Sequence, residues 1–279
     1  MIGIDEIRKA AGRIKPYAHR TPVLTCNGLD EMAGCRLFFK CENFQKVGAF
    51  KFRGACNAVF SLSDEEIRRG VATHSSGNHA AALALAASLR DSRAYIVMPE
   101  NSPEVKKAAV AGYGAEITWC KPTLQAREDG LAEVVRRTGA TVIHPYNDPR
   151  IIAGQGTAAM ELLEEVPHLD MILVPVGGGG LSSGTCLAAK ETLVIGAEPQ
   201  GADDACRSLT AGKIIPSVNP DTIADGLLTS LGELTFAILR KHMEKIITVD
   251  DPAIISAMRH VWERMKMIIE PSSAVPVGV

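Results

Sequence analysis

Lys51 is the side chain with the clearest capacity for chemistry. It lies in Gly48-Ala49-Phe50-Lys51-Phe52-Arg53-Gly54-Ala55, where a loop gives way to a helix-like run from Phe52 to Phe60. An amine at a helix N-terminus feels the positive end of the macrodipole, and Lys46 and Arg53 are close in sequence. All of these disfavour the ammonium form. A partly desolvated, easily neutralised lysine is what Schiff-base chemistry needs. The plain alternative is one solvated lysine among many.

Three other stretches carry functional types at telling spacings. Ser75-Ser76-Gly77-Asn78-His79 follows a strand and precedes a helix. In open α/β sheets that is where ligands bind. Its hydroxyls and amide could meet a polar ligand, or Ser76 or Asn78 could simply cap the helix. Gly177-Gly178-Gly179-Gly180-Leu181 joins the apolar run Met171 to Val176 to another helix. Unshielded backbone N–H groups at a helix N-terminus form an anion cradle. There is no Walker lysine, and Ser183 breaks the G-x-G-x-x-G register, so the phosphate of a smaller cofactor fits better than a dinucleotide. Glu198-Pro199-Gln200-Gly201-Ala202-Asp203-Asp204 places three carboxylates within seven residues. Such oxygens can bind Mg²⁺, Mn²⁺ or Ca²⁺, although composition alone favours a solvated loop with Asp203 and Asp204 at a helix start.

The elements between these stretches must bring them together. Ile4, Ile7, Ala11 and Ile14 recur at helical spacing near the N-terminus. A strand is predicted over 36–41, and Ser63 with Glu66 reads as a capping box starting a short helix that ends at Gly70. Strands are then predicted at 71–74, 94–98, 116–120, 141–144, 171–176 and 193–197. Helices are predicted at 79–89, 103–111, 123–138, 154–165, 181–190 and 252–267, with a loop over 212–225. Apolar strands separated by single helices mean largely parallel sheets covered on both faces.

Hydrophobic content of 46% is enough for a well-filled globular core, and a net charge of -2 with interspersed signs gives no nucleic-acid or polybasic membrane surface. No stretch reaches the ~18 apolar residues of a membrane span, and residues 1–13 lack a signal-peptide core. The seven cysteines form no C-x-x-C pair and outline neither a zinc site nor a disulfide framework. Their odd number, without a secretion signal, fits a reducing cytoplasm. Cys41, Cys56 and Cys186 lie among apolar or small residues and read as core fillers.

Taken in order, these pieces resemble the fold-type II pyridoxal-phosphate enzymes, and within them the serine racemase and serine/threonine dehydratase group. The resemblance runs through Thr21-Pro22-Val23-Leu24, Gly48 to Ala55, Thr73 to His79, His144-Pro145-Tyr146-Asn147, Ala153 to Thr157, Gly177 to Leu181, Ile223 to Gly226 and Glu270-Pro271-Ser272-Ser273-Ala274. It implies a large cofactor domain of residues 1–61 and 147–279, with a smaller domain of 62–146 inserted. It also implies that Lys51 forms the Schiff base with pyridoxal 5′-phosphate and that Phe50 packs on the pyridine ring. Asn78 would meet the 3-hydroxyl, and Gly177, Gly178, Gly179, Gly180 and Leu181 the phosphate. Ser76 would face the cofactor from the side opposite Lys51, so that Lys51 and Ser76 serve as the two acid/bases. In the racemase and hydroxyaspartate dehydratase branch a divalent cation is held by two carboxylates and a carbonyl. Those positions correspond to Glu198, Asp204 and the carbonyl of Ala202.

The activity implied is serine racemisation together with L-serine and L-threonine ammonia-lyase chemistry. A threonine or 3-hydroxyaspartate dehydratase without racemase activity, and a silent cofactor-binding homologue, are the alternatives. β-Replacement is disfavoured, because sulfhydrylases usually carry a threonine-rich asparagine loop. The resemblance suggests a homodimer and leaves room for a nucleotide effector. The family continues past the Glu-Pro-Ser motif to a Ser-Gly-Gly-Asn segment whose serine meets the pyridine nitrogen. This sequence stops at Val279, so the expectation is a truncated or incompletely represented chain. The connection from Lys190 to Leu193 is also shorter than expected.

Overall fold

The computed structural model describes residues 2–75 and 77–279. The chain opens with α1 (Ile4–Ile14), whose apolar spacing buries Ile7, Ala10 and Ile14. A two-residue strand β1 (Val23–Leu24), the helix α2 (Asn27–Ala33) and a second short strand β2 (Phe39–Lys40) follow. The predicted strand over 36–41 contracts to Phe39 and Lys40, because only these find partners, in Leu24 and Val23 of an antiparallel pair. Then comes α3 (Lys51–Phe60), buried along most of its length.

The next elements are α4 (Asp64–Arg69), β3 (Val71–His74), α5 (Asn78–Ser88), β4 (Ala94–Pro99), α6 (Glu104–Gly112), β5 (Glu116–Cys120), α7 (Leu124–Thr138) and β6 (Thr141–Val142). The capping box that starts α4 is formed: the Ser63 N–H donates to Glu66 Oε2 at 2.8 Å, and the Glu66 N–H donates to Ser63 Oγ at 3.3 Å. These strands make a parallel sheet in the order β5-β4-β3-β6. Burial on both faces explains why β4 is apolar at every position.

The second half contains α8 (Pro149–Glu165), β7 (Met171–Pro175), α9 (Gly180–Ala188), β8 (Leu193–Pro199), α10 (Asp204–Ala211), α11 (Glu233–His242), β9 (Lys245–Val249) and α12 (Asp251–Met265). A single helical turn follows at Pro271–Ala274. Its sheet is also parallel, in the order β7-β8-β9. Helix α8 starts five residues before the predicted position, because Asp148 caps it, accepting from the Arg150 N–H at 2.8 Å, and Pro149 fits the first turn. α11 and β9 lie in a stretch with no predicted element.

Helix α3 is seated between the two halves, against α5 on one side and α8 on the other. The approach to α8 is close enough that a Cβ on Gly154 would lie 2.6 Å from Gly54 Cα. This contact fixes the helix whose first residue is Lys51. Cys41, Cys56 and Cys186 are buried, as expected of core fillers. Among the described residues no helix is long and apolar enough to cross a membrane.

Candidate active site

Lys51 is the first residue of α3, and its Nζ donates to the carbonyl of Pro145 at 3.3 Å. Burial lowers its pKa to about 8, against a raising influence from Glu270. The sequence argument foresaw the direction but not the cause. Arg53 does not act on the amine, because its guanidinium turns away into a buried network. There it meets Glu42 at 2.7 and 2.8 Å and Glu161 at 2.8 Å with two of its nitrogens. Lys46 places its Nζ over the Phe52 ring, 5.6 Å from the centroid. Desolvation, the largest influence on Lys51, comes from the tertiary fold. Phe50 lies beside it, with its ring centroid 5.2 Å from Lys51 Nζ.

Facing Lys51 are groups from distant parts of the chain. Asn78 is the first residue of α5 and not its cap. Gly77 is the N-cap residue and makes no side-chain capping bond. Asn78 Nδ2 instead donates to both carboxylate oxygens of Glu270, at 2.9 and 3.1 Å. His79 is buried with Nε2 3.2 Å from the carbonyl of Ile143, and its Nδ1 has no partner. Burial first, then the Lys51 charge, depress its pKa to about 3. His144 is pushed down to about 4, again mainly by burial. Both imidazoles are therefore neutral near pH 7. Ser76 lies outside the described residues.

The tetraglycine stretch forms the turn from β7 into α9. Gly179 is the N-cap of α9 with φ +87°, a conformation that L side chains rarely adopt. The Tyr146 ring lies against Gly178, and the loop's carbonyls are tied back. Thr235 Oγ1 donates to Gly178 O at 2.8 Å, and the Ser183 N–H donates to Gly179 O at 2.8 Å. The N–H groups of Gly177 to Leu181 have no acceptor among the described residues. Unpaired amides at the start of a nine-residue helix form a cradle suited to a phosphate.

The acidic stretch is not a solvated loop. Glu198 and Asp204 are each 1% exposed. Both oxygens of Glu198 accept backbone N–H bonds, from Ala205 and Cys206, at 2.8 Å each. Neither oxygen of Asp204 makes a well-formed hydrogen bond, although the buried Ser217 hydroxyl, itself without a partner, lies near enough to lower its pKa in part. Desolvation raises Glu198 to about 8 and Asp204 to about 6. Ala202 is buried one turn before. Asp203 points outward to Arg207, 2.7 Å away. Two buried carboxylates, one with orphaned oxygens, are chemically suited to a hard cation. Among the described residues no group of three or more His, Cys, Asp or Glu side chains is arranged for a metal.

Of the residues singled out in the sequence, Phe50 lies beside Lys51, Asn78 binds the Glu270 carboxylate whose charge acts on Lys51, and Glu198 and Asp204 form a separate buried pair. Glu270 gains a partner in Asn78 that its motif did not announce, across 192 residues. The Pro145 carbonyl and His144 were marked only by the His-Pro-Tyr-Asn signature. Arg127 on α7 had no signal; its Nε is buried without a partner, and its charge helps lower the pKa of half-buried His74 after burial itself.

Known proteins share this arrangement. Residues 14–279 match the family described as pyridoxal-phosphate dependent enzyme. The serine racemase of Dictyostelium discoideum is 52% identical over 283 residues, covering 99% of this chain and 87% of the relative. The beta-hydroxyaspartate dehydratase of Paracoccus denitrificans is 51% identical, covering 98% of this chain and 88% of the relative. The solved structure of maize serine racemase superimposes with a TM-score of 0.98 at 50% identity, covering 99% of this chain and 85% of that one. With a family match over nearly its whole length, and with its parallel sheets set as in those structures, the chain belongs to the fold-type II pyridoxal-phosphate dependent enzymes.

Proposed function

We propose that the protein is a serine racemase that also acts as an L-serine and L-threonine ammonia-lyase. The observation that carries this reading is the half-buried Lys51 amine, its pKa lowered to about 8 at the start of α3, with the Glu270 carboxylate that Asn78 binds close enough to act on it. Identity near 50% to named serine racemases supports the substrate class.

Pyridoxal 5′-phosphate, when bound, supplies an electron sink that acidifies the Cα–H bond of an amino acid. The unpaired amides of Gly177, Gly178, Gly179, Gly180 and Leu181 would hold its phosphate, Phe50 would lie against its ring, and Asn78 Nδ2 would exchange a Glu270 oxygen for the cofactor's 3-oxygen. The Lys51 amine would take the place of the aldehyde oxygen, which leaves as water, and once displaced by the substrate amine would hold or move the Cα proton on one face. Ser76 holds the proton on the other. Racemisation needs both groups, whereas loss of the β-hydroxyl from L-serine needs Lys51 alone for the Cα proton. Glu198, Asp204 and the Ala202 carbonyl would hold Mg²⁺ or Mn²⁺, which would give the unpartnered Asp204 oxygens a counter-charge. Residues 1–61 with 147–279 act as the cofactor domain and 62–146 as the smaller one. The protein works as a cytoplasmic homodimer, open to a nucleotide effector.

The test is Ser76→Ala. D-Serine formation from L-serine and pyruvate release from D-serine should be lost, with part of the pyruvate release from L-serine kept. Equal losses in all three would remove Ser76 as the second acid/base. For the cation, Asp204→Ala should abolish the rise in Tm given by Mg²⁺ while leaving the cofactor bound; an unchanged rise would remove that site. A second reading, 3-hydroxyaspartate dehydration, is favoured by the unpartnered Nε of Arg127, a group suited to a second carboxylate. A preference for 3-hydroxyaspartate over serine that disappears in Arg127→Met would establish it.

A further inference from the structure

The chain leaves β6 and reaches the cap of α8 through Ile143 and the turn His144-Pro145-Tyr146-Asn147, whose last three residues each touch a different neighbouring element. The Pro145 carbonyl accepts from Lys51 Nζ at 3.3 Å. The Tyr146 ring lies on the tetraglycine loop; a Cβ on Gly180 would approach Tyr146 Cβ to 3.0 Å. Asn147 Oδ1 accepts from the Leu234 N–H at 3.0 Å, at the start of α11. One side chain holds the turn closed. His144 Nδ1 accepts from the Tyr146 N–H at 3.3 Å and from the Asn147 N–H at 2.9 Å. Its ring also stands edge-on to Tyr146, with centroids 4.6 Å apart. An atom that accepts two N–H bonds must carry a lone pair, so the ring proton sits on Nε2. This is the geometry of an Asx-turn, with an imidazole nitrogen where a side-chain oxygen usually sits.

We infer that His144 is a positioning residue: as a neutral acceptor it ties the turn that presents the Pro145 carbonyl to Lys51 and the Tyr146 ring to the phosphate loop. This rests on the reading of Lys51 and the glycine loop as the cofactor site. It adds that the two halves of that site are set by one hydrogen-bond acceptor that touches neither. A phenylalanine at 144 keeps the ring but offers no lone pair. An asparagine loses the ring but keeps an acceptor within reach of the same amides.

The experiment uses the apo-protein as wild type, His144→Phe and His144→Asn, titrated with two ligands by fluorescence. Pyridoxal 5′-phosphate can condense with Lys51. Pyridoxine 5′-phosphate has the same ring and phosphate but an alcohol in place of the aldehyde, so it reports on the loop alone. His144→Phe should weaken pyridoxine 5′-phosphate by about tenfold, the effect of one or two unmade buried hydrogen bonds. It should weaken pyridoxal 5′-phosphate further, because the Lys51 contact is lost as well. His144→Asn should bind both within about threefold of wild type, since the acceptor is retained. Wild-type affinity in His144→Phe, or equal weakness in His144→Asn, would overturn the inference. Should His144→Phe fail to fold, His144→Asn decides: near wild-type affinity for both ligands supports the inference, and a tenfold loss overturns it. A wild-type protein that takes up neither ligand would overturn the functional reading first, and this inference with it.

Discussion

Two cations stand two residues apart at the start of α3, and the fold treats them in opposite ways. Arg53 is wholly buried and wholly paired. Glu42 and Glu161 bracket its guanidinium, Lys40 adds a 2.7 Å ion pair to Glu161, and the side chains of Thr21 and Thr157 fill the remaining space. Its pKa is raised despite burial, because hydrogen bonds to the two carboxylates outweigh desolvation. Lys51 is half-buried with one carbonyl for company, and desolvation lowers its pKa to about 8. A structural charge is satisfied in the folded protein, whereas a charge kept for chemistry is left short of partners. Arg53 anchors the helix; Lys51, one half-turn earlier, is presented by it.

Exchanging either cation for a neutral side chain should separate these roles. Lys51→Met should lower both racemase and lyase rates by roughly a thousandfold or more, as loss of a covalent-catalysis residue does. Assays of D-serine and pyruvate would check it; retention of either activity would break the comparison. Arg53→Met should destabilise the protein by about 3–5 kcal/mol, because two buried carboxylates lose their partner. Urea unfolding measures this, and a loss below about 1 kcal/mol would mean the network adds little. Arg53→Lys should recover only part, since an ammonium cannot match the paired geometry.

The stability of Lys51→Met reads the opposite sign. The folded-state pKa of Lys51, about 8, lies below its unfolded value of about 10.4. Between those values the unfolded chain holds a proton that the folded chain does not, so wild-type stability rises with pH across this window. Below pH 8 the cost of the buried ammonium is fully present. Lys51→Met should therefore be more stable than wild type at pH 7, by on the order of 2–3 kcal/mol. That advantage should vanish by about pH 10.5. An advantage independent of pH would mean that Met packs better, not that the amine is strained.

The same contrast governs what could be read from the sequence. Element types from α4 to β8 were legible, because each strand is an apolar run and each helix has its own spacing or cap. Ser63 with Glu66 is the plainest instance. Strand β1 was not, and β2 was read only as part of a longer run over 36–41, since the two-residue pairing across 14 others that sets their bounds carries no local pattern. Helix α11 buries Thr235 and Leu239 while Phe236 and Ile238 stay half exposed. Thr235 is inside only because it bonds the Gly178 carbonyl, a contact no local rule could supply. At the site, the residue types and the family signature pointed to Lys51, Asn78 and the glycines. The source of the Lys51 shift, the Glu270 partner of Asn78 and the orphaned Asp204 oxygens all arise from tertiary burial. Arg53 was misread for the same reason, as its charge is spent on residues far away in sequence.

The most direct test of the account is to load the protein with pyridoxal 5′-phosphate, reduce it with borohydride and map the modified peptide by mass. The account predicts a phosphopyridoxyl group on Lys51, absent when Lys51 is Met. A label on Lys46, Lys40 or any other lysine, or none at all, would contradict it.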